Sequence, residues 1–200
     1  MIKAIFLDIG GVLILSKYRE VIEKWAKELN VPSDKLRQTL KEYSHIGMAG
    51  QNGSYQEFIK SKGIAWTTAE QLEVLQKEAW SSEYLNQGLL DFILESKDKY
   101  TFGIITNNYK EAEELLLKKF NVPKFYDIFV SSADVGVLKP NRKIYQYALE
   151  QAKTPAEQSV FVDDQEKNVE AAKELGMIGI LYRDNEYRDN ESLLKQLSDL

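Results

Sequence analysis

Four short polar segments in this chain each follow an apolar run that reads as a buried strand. They are Asp8 after AIFL, Thr106 and Asn107 after FGII, Lys139 downstream of YDIFVSS, and Asp163 with Asp164 after SVFV. In an open parallel α/β sheet the carboxyl ends of the strands converge on one crevice. A carboxylate able to act as a nucleophile, a hydroxyl, an ammonium and a carboxylate pair would meet there. That set suits Mg²⁺-assisted phosphoryl transfer through an aspartyl-phosphate, because the metal takes hard oxygen ligands, the phosphate takes donors and positive charge, and the carboxylate attacks phosphorus. Taken singly, such residues more often cap the next helix, so the weight rests on the four together and on their order.

Each segment has a local rationale. Asp8 is delivered by its strand, and Gly10 and Gly11 let the backbone turn closely around a bound phosphate. Thr106 and Asn107 offer a hydroxyl and the donors of the following turn to phosphoryl oxygens. Lys139 is held extended by Pro140, and its ammonium beside several carboxylates neutralises them and stabilises incoming charge. Asp163 and Asp164 place two acids where water is scarce, a cost that a divalent cation resolves. Asn168, four residues after Asp164 and one helical turn on, is positioned to orient a metal-bound water.

The elements that must position these residues follow from apolar periodicity. Residues 3–8 read as a first, central strand. A long helical stretch follows. Tyr18 to Leu29 carries Val21, Ile22, Trp25, Ala26 and Leu29 on one face; Ser33 caps a helix with Leu36, Leu40 and Tyr43; Ser54 and Thr68 start two more. An insertion of this length far exceeds a βα crossover, so residues 16–85 are expected to form a separate helical cap on a core of 1–15 and 86–200. From Gly88 onward strands and helices alternate, which implies right-handed crossovers and a parallel sheet. Tyr18, Tyr43, Tyr55 and His45 in the helical stretch are candidates for substrate contact, although aromatics at helical spacing more often serve the core.

Composition sets the outer bounds. With 200 residues, 44% of them hydrophobic, the chain can bury one substantial core plus an inserted unit. It has no cysteine, which excludes disulfides, thiolate metal sites and a cysteine nucleophile, and its single histidine excludes a multi-histidine metal site. A net charge of −5 argues against a general nucleic-acid surface. No window has the apolar length of a membrane span, and the first residues lack the pattern of a signal peptide. The expectation is a cytoplasmic protein acting on a small phosphorylated metabolite, with neither nucleic acid nor membrane as partner and its oligomeric state open.

Read in order, FLDIGGVL at 6–13, IITNN at 104–108, DVGVLKPNRKIYQYAL and VFVDDQEKNVEAAKELGM resemble the haloacid dehalogenase-like hydrolase superfamily over nearly the whole chain. The resemblance implies a doubly wound α/β core with an inserted all-helical cap. It implies Asp8 as nucleophile and Mg²⁺ ligand, the Gly10 carbonyl and Asp164 as further ligands, and Asp163 as an acid near Lys139 and metal-bound water. Most phosphatases of the family carry a second Asp two residues after the nucleophile, where it protonates the leaving oxygen and later activates water; this chain has Gly10 there. Losing a general acid forfeits about a hundred- to ten-thousand-fold in rate. The function expected is a Mg²⁺-dependent phosphatase on a small phosphomonoester, a sugar phosphate being one candidate. The alternatives are a 2-haloacid dehalogenase-type hydrolase, which needs no metal and usually places an aromatic residue at position 10, and a catalytically weakened phosphate-binding or regulatory protein. A receiver domain is excluded by order, since there the acid pair comes first and the phosphorylated Asp later.

Overall fold

A computed structural model describes residues 1–48, 53–182 and 190–200, the side chains of 45–48 excepted. The chain opens with β1 (Ala4–Leu7) and β2 (Ile14–Ser16), then α1 (Tyr18–Glu28), α2 (Ser33–Met48), α3 (Tyr55–Lys62) and α4 (Ala69–Ser81). It continues with β3 (Glu83–Leu85), α5 (Gln87–Ser96), β4 (Thr101–Thr106), α6 (Ala112–Phe120), β5 (Ile128–Ser131) and the short α7 (Ser132–Val135). The remaining elements are α8 (Arg142–Ala152), β6 (Ser159–Asp163), α9 (Glu166–Lys173), β7 (Ile178–Leu181) and α10 (Asn190–Ser198).

Five strands form one parallel sheet in the order β5-β4-β1-β6-β7, with β1 at its centre as its uninterrupted apolar sequence indicates. Successive residues of β1 serve opposite faces. Ile5 and Leu7 join Phe102, Ile104, Val160 and Val162 in one core layer, covered by Leu89 and Ile93 of α5 and Leu193 and Leu197 of α10. Ala4 and Phe6 join Ile105 and Phe161 in the other, covered by Ile144, Tyr145 and Ala148 of α8 and by Ala171 and Ala172 of α9. Phe6 packs over Gly103 of the neighbouring strand, where any Cβ would collide with its ring. Emptying that position by Phe6→Ala would cost about 3–5 kcal/mol.

The chain runs from β1 outward through β4 to β5, then returns to β6 on the far side of β1 and continues to β7. The connections leaving β1 and β6 therefore diverge. In a doubly wound sheet such a switch point opens the crevice in which ligands bind, and here Asp8 and the Asp163–Asp164 pair sit at its two lips.

Two compact units are present, one of Met1–Leu15 with Leu85–Leu200 and one of Ser16–Tyr84. Leu85 goes with the first because it packs against that core. The second unit has its own apolar interior, with Ile22, Leu36, Leu72 and Leu75 fully buried. Its helices start where polar residues allow: Ser54 and Thr68 each accept from the backbone three residues on and are repaid by Glu57 and Gln71, two capping boxes. Where the chain leaves and rejoins the first unit, β2 and β3 pair as a two-stranded ribbon, a feature absent from the sequence reading because three-residue strands show no periodicity.

Candidate active site

β1 ends one residue before Asp8, β4 ends on Thr106, β5 on Ser131 and β6 on Asp163, so the parallel register brings all four to the carboxyl edge of the sheet. The Lys139 side chain enters from the loop between α7 and α8. It is 3% exposed, and all three of its ammonium protons are placed: on Asp8 Oδ1 at 2.9 Å, on Asp163 Oδ2 at 2.7 Å and on the Ile105 carbonyl at 2.8 Å. The ammonium also lies 5.3 Å from the centre of the Phe161 ring. Truncating Lys139 would strand buried carboxylates, a loss of about 3–5 kcal/mol.

The three acids differ in how much of their valence is spent. Asp163 is fully buried and saturated: its Oδ1 accepts from the Gln165 amide and Asn168 Nδ2, and its Oδ2 from Lys139 and again from Asn168 Nδ2. Asp8 uses Oδ1 for the Ile9 amide at 2.7 Å and for Lys139, while among the described residues no hydrogen bond reaches its Oδ2. Asp164 has a buried Oδ1 with no hydrogen-bond partner among the described residues. Oxygens of Asp8, Asp163 and Asp164 lie within 4.8 Å of one another, three carboxylates facing one ammonium. Burial pushes the Asp164 carboxyl up to about 7, with Asp8 and Asp163 adding repulsion and Lys139 opposing it. The Asp8 carboxyl is also raised, first by burial, against the pull of Lys139. An orphaned carboxylate oxygen beside surplus negative charge could hold a hard divalent cation, and the all-oxygen donor set fits Mg²⁺.

Several residues singled out from sequence serve the site indirectly. Asn107 gives both ends of its amide to the Lys139 backbone, accepting from its N–H at 2.7 Å and donating to its carbonyl at 3.1 Å, so its side chain fixes the lysine loop. Asn168 commits its amide nitrogen to both oxygens of Asp163 and so holds the acid, while its buried Oδ1 has no hydrogen-bond partner among the described residues. The Gly11 N–H is spent on the Ile14 carbonyl at 2.8 Å, so Gly11 serves the turn. Thr106 is buried, and among the described residues no hydrogen bond uses its hydroxyl. It does not cap the following helix, whose N-cap is Glu111. The side chain of His45 lies outside the described residues.

Three supporting residues escaped the sequence reading. Ser131 Oγ donates to the Asn108 carbonyl and Ser132 Oγ accepts from the Asn108 amide, clamping the turn after Thr106. Tyr145, fully buried against Phe161, donates to the Asn168 carbonyl and so braces the residue that grips Asp163. The paired serines closing the strand YDIFVSS were the available signal; Tyr145 looked like any apolar-face aromatic.

A family description, hydrolase: haloacid dehalogenase-like hydrolase, matches residues 2–176. The chain belongs to this family. Among curated relatives of this haloacid dehalogenase-like hydrolase, the bifunctional epoxide hydrolase 2 of Rattus norvegicus is 24% identical over 197 residues, covering 88% of this chain and 36% of that protein. The glyceraldehyde 3-phosphate phosphatase of Methanocaldococcus jannaschii is 33% identical over 92 residues, covering 44% and 40%. The chain thus spans well under half the length of the first curated relatives it matches. Among solved structures, a family enzyme of Bacteroides thetaiotaomicron, an Asp-to-Ala mutant in complex with magnesium and inorganic phosphate, aligns at TM-score 0.70 and 19% identity over 96% of this chain and 99% of that one. A dehalogenase aligns at TM-score 0.68 and 18% identity over 99% and 96%. At such identities these likenesses are of fold.

Proposed function

We propose that this hydrolase is a Mg²⁺-dependent phosphatase of small phosphomonoesters that works through an aspartyl-phosphate on Asp8, with the helical unit of Ser16–Tyr84 as its cap. The observation that carries the reading is the buried Oδ1 of Asp164, without a partner among the described residues, beside an Asp8 whose Oδ1 is pinned and whose Oδ2 takes no bond among them. A haloacid dehalogenation uses one carboxylate and no metal, and would leave Asp164 a buried cost without purpose.

Asp8 Oδ2 attacks phosphorus while Lys139 and the Ile9 amide hold Oδ1, which fixes the carboxylate's orientation. The P–O bond to the leaving group breaks, and its electron pair stays on the leaving oxygen. The Thr106 hydroxyl is available to a phosphoryl oxygen. Water then cleaves the acyl phosphate, restoring Asp8 and releasing inorganic phosphate. Asp8, Asp164 and the Gly10 carbonyl would hold Mg²⁺, which when bound neutralises the carboxylates and polarises the phosphoryl group. Magnesium and phosphate bound to the Bacteroides enzyme are consistent with this assignment.

Phosphate release from a panel of phosphorylated metabolites, with Mg²⁺ and with excess EDTA, tests the reading. Release is expected only with metal, and Asp8→Asn, nearly isosteric but a poor nucleophile, is expected to abolish it without altering the far-ultraviolet dichroism. Full activity in EDTA on a 2-haloacid would replace this reading with dehalogenation. Mg²⁺-dependent binding of phosphate without turnover on any ester would replace it with a binding role.

A further inference from the structure

Asn86 caps α5 and is 1% exposed, and the cap accounts for only part of what its amide does. Its Oδ1 accepts from the Leu89 N–H at 3.3 Å, a task that Ser, Thr or Asp performs as well. Its Nδ2 goes further, donating to the Val12 carbonyl at 3.1 Å and to Asn190 Oδ1 at 2.9 Å. Asn190, the first residue of α10, returns the bond from its own Nδ2 to Asn86 Oδ1 at 2.8 Å, so two amides 104 residues apart in sequence pair reciprocally. The Tyr182 hydroxyl, one residue past β7, donates to Asn190 Oδ1 at 2.7 Å and completes the group. All of these residues belong to the unit of Met1–Leu15 and Leu85–Leu200. A buried amide is costly unless its donors and its acceptor are satisfied, and here both ends are used twice.

What Asn86 holds is the turn after β1. That turn is closed on itself: the Ile9 carbonyl accepts from Leu13 at 3.0 Å and from Ile14 at 2.7 Å, and the Gly11 N–H goes to the Ile14 carbonyl at 2.8 Å. A turn so bonded moves as one piece. Asn86 grips it by two consecutive carbonyls, with its backbone N–H on Leu13 at 2.9 Å and its side chain on Val12. The same turn begins beside Asp8 and carries the Gly10 carbonyl. We propose that Asn86 is a positioning residue: braced by Asn190 and Tyr182, it fixes through the Val12 carbonyl the turn that sets Asp8 and Gly10, and so makes the start of α10 part of the site's support. The inference rests on the reading of Asp8 as nucleophile and of the Gly10 carbonyl as a metal ligand. A displacement of about 1 Å at a reacting group is enough to cost a large share of the rate.

The test compares Asn86→Ser with Leu197→Ala in the full chain. Serine keeps a cap acceptor and loses both amide donors, whereas Leu197→Ala truncates the core face of α10 and removes none of these bonds. Hydrogen exchange at the Gly11, Leu13 and Ile14 amides, referenced to the Ile104 and Phe161 amides of the sheet, reads the turn without any activity. In Asn86→Ser those three are expected to exchange about tenfold faster relative to the sheet, and in Leu197→Ala to keep their ratio. Calorimetric Mg²⁺ affinity is expected to fall about tenfold in Asn86→Ser, and kcat for phosphate release by about the same factor with KM little changed. Asn190→Ala, at a half-buried position, is expected to give the same pattern at smaller amplitude, and it decides the matter if the serine variant does not fold. Turn amides no faster than in Leu197→Ala overturn the inference. So does a loosened turn with Mg²⁺ affinity and kcat at the Leu197→Ala level, because the anchor then does not serve the site. An unaltered chain that neither binds Mg²⁺ nor releases phosphate removes the phosphatase reading, and the exchange ratio alone then keeps or removes the anchor.

Discussion

Gly10 occupies a position that would accept a side chain. Its backbone is not in the left-handed region, and a Cβ there meets nothing within 4 Å. Neither sterics nor strain therefore explains why the residue two after the proposed nucleophile is not an acid. Proton donation to the leaving oxygen is what the position lacks. In the proposed phosphatase the rate should then fall steeply as the leaving group becomes more basic, from acyl through aryl to alkyl phosphates, because negative charge builds on an oxygen that nothing protonates. Gly10→Asp is expected to flatten that dependence and to raise turnover of alkyl phosphates by roughly a hundredfold if the new carboxyl donates at the transition state. Initial rates for both proteins across one series of leaving groups check this. A slope in the unaltered chain as flat as that of an acid-assisted enzyme would assign the proton to another residue.

Between elements, the site is set by how closely the turn after β1 approaches the end of β6. Gly11 has φ +78°, and a Cβ placed on it would sit 2.6 Å from Asp164 Oδ2. Gly11→Ala should therefore cost about 1–3 kcal/mol from the left-handed backbone alone. It should also push Asp164 off its position, so the Mg²⁺ concentration for half-maximal activity rises together with the loss of thermal stability. An alanine variant that loses stability yet keeps its metal requirement would show that Asp164 is not a ligand. The strands that deliver the site were legible because β1, β4 and β6 are covered on both faces and read as apolar runs ending in a polar residue. Helix starts at Ser54 and Thr68 were legible for the same kind of reason, a capping residue ahead of an amphipathic stretch. What stayed hidden is pairing over distance. The Asn107 amide meets the Lys139 backbone across 32 residues, and the Asn168 amide nitrogen goes to Asp163. Such choices depend on tertiary placement, and residue type and spacing serve either outcome equally well.

At the scale of the whole molecule, the proposed metal site would tie folding to the metal through its buried acids. In the metal-free protein the Asp164 carboxyl titrates at about 7 against an ordinary value of 3.8, so the folded state holds a proton that the unfolded chain has released anywhere between those two values. Folded stability then falls as pH rises through that window, the reverse of the usual behaviour of a paired carboxylate. Repulsion from Asp8, itself raised by burial, contributes to the same trend. Mg²⁺ bound as proposed would reverse it, because a metal held by the deprotonated carboxylates adds its binding energy to the folded state, about 2.7 kcal/mol when the metal stands at 100 times its dissociation constant. At pH 6 only about a tenth of a carboxyl titrating near 7 is ionised, and at pH 8 about nine-tenths, so the apparent Mg²⁺ affinity is expected to rise about tenfold between them. Thermal unfolding at pH 6 and pH 8, with a Mg²⁺ titration at each and EDTA as the metal-free reference, reads this directly. The metal-induced rise in Tm should be larger at pH 8, and Asp164→Asn, which carries no ionisable carboxyl, should remove most of the difference. A Mg²⁺ effect equal at the two pH values, or unchanged in Asp164→Asn, would mean that the metal and this carboxylate do not meet.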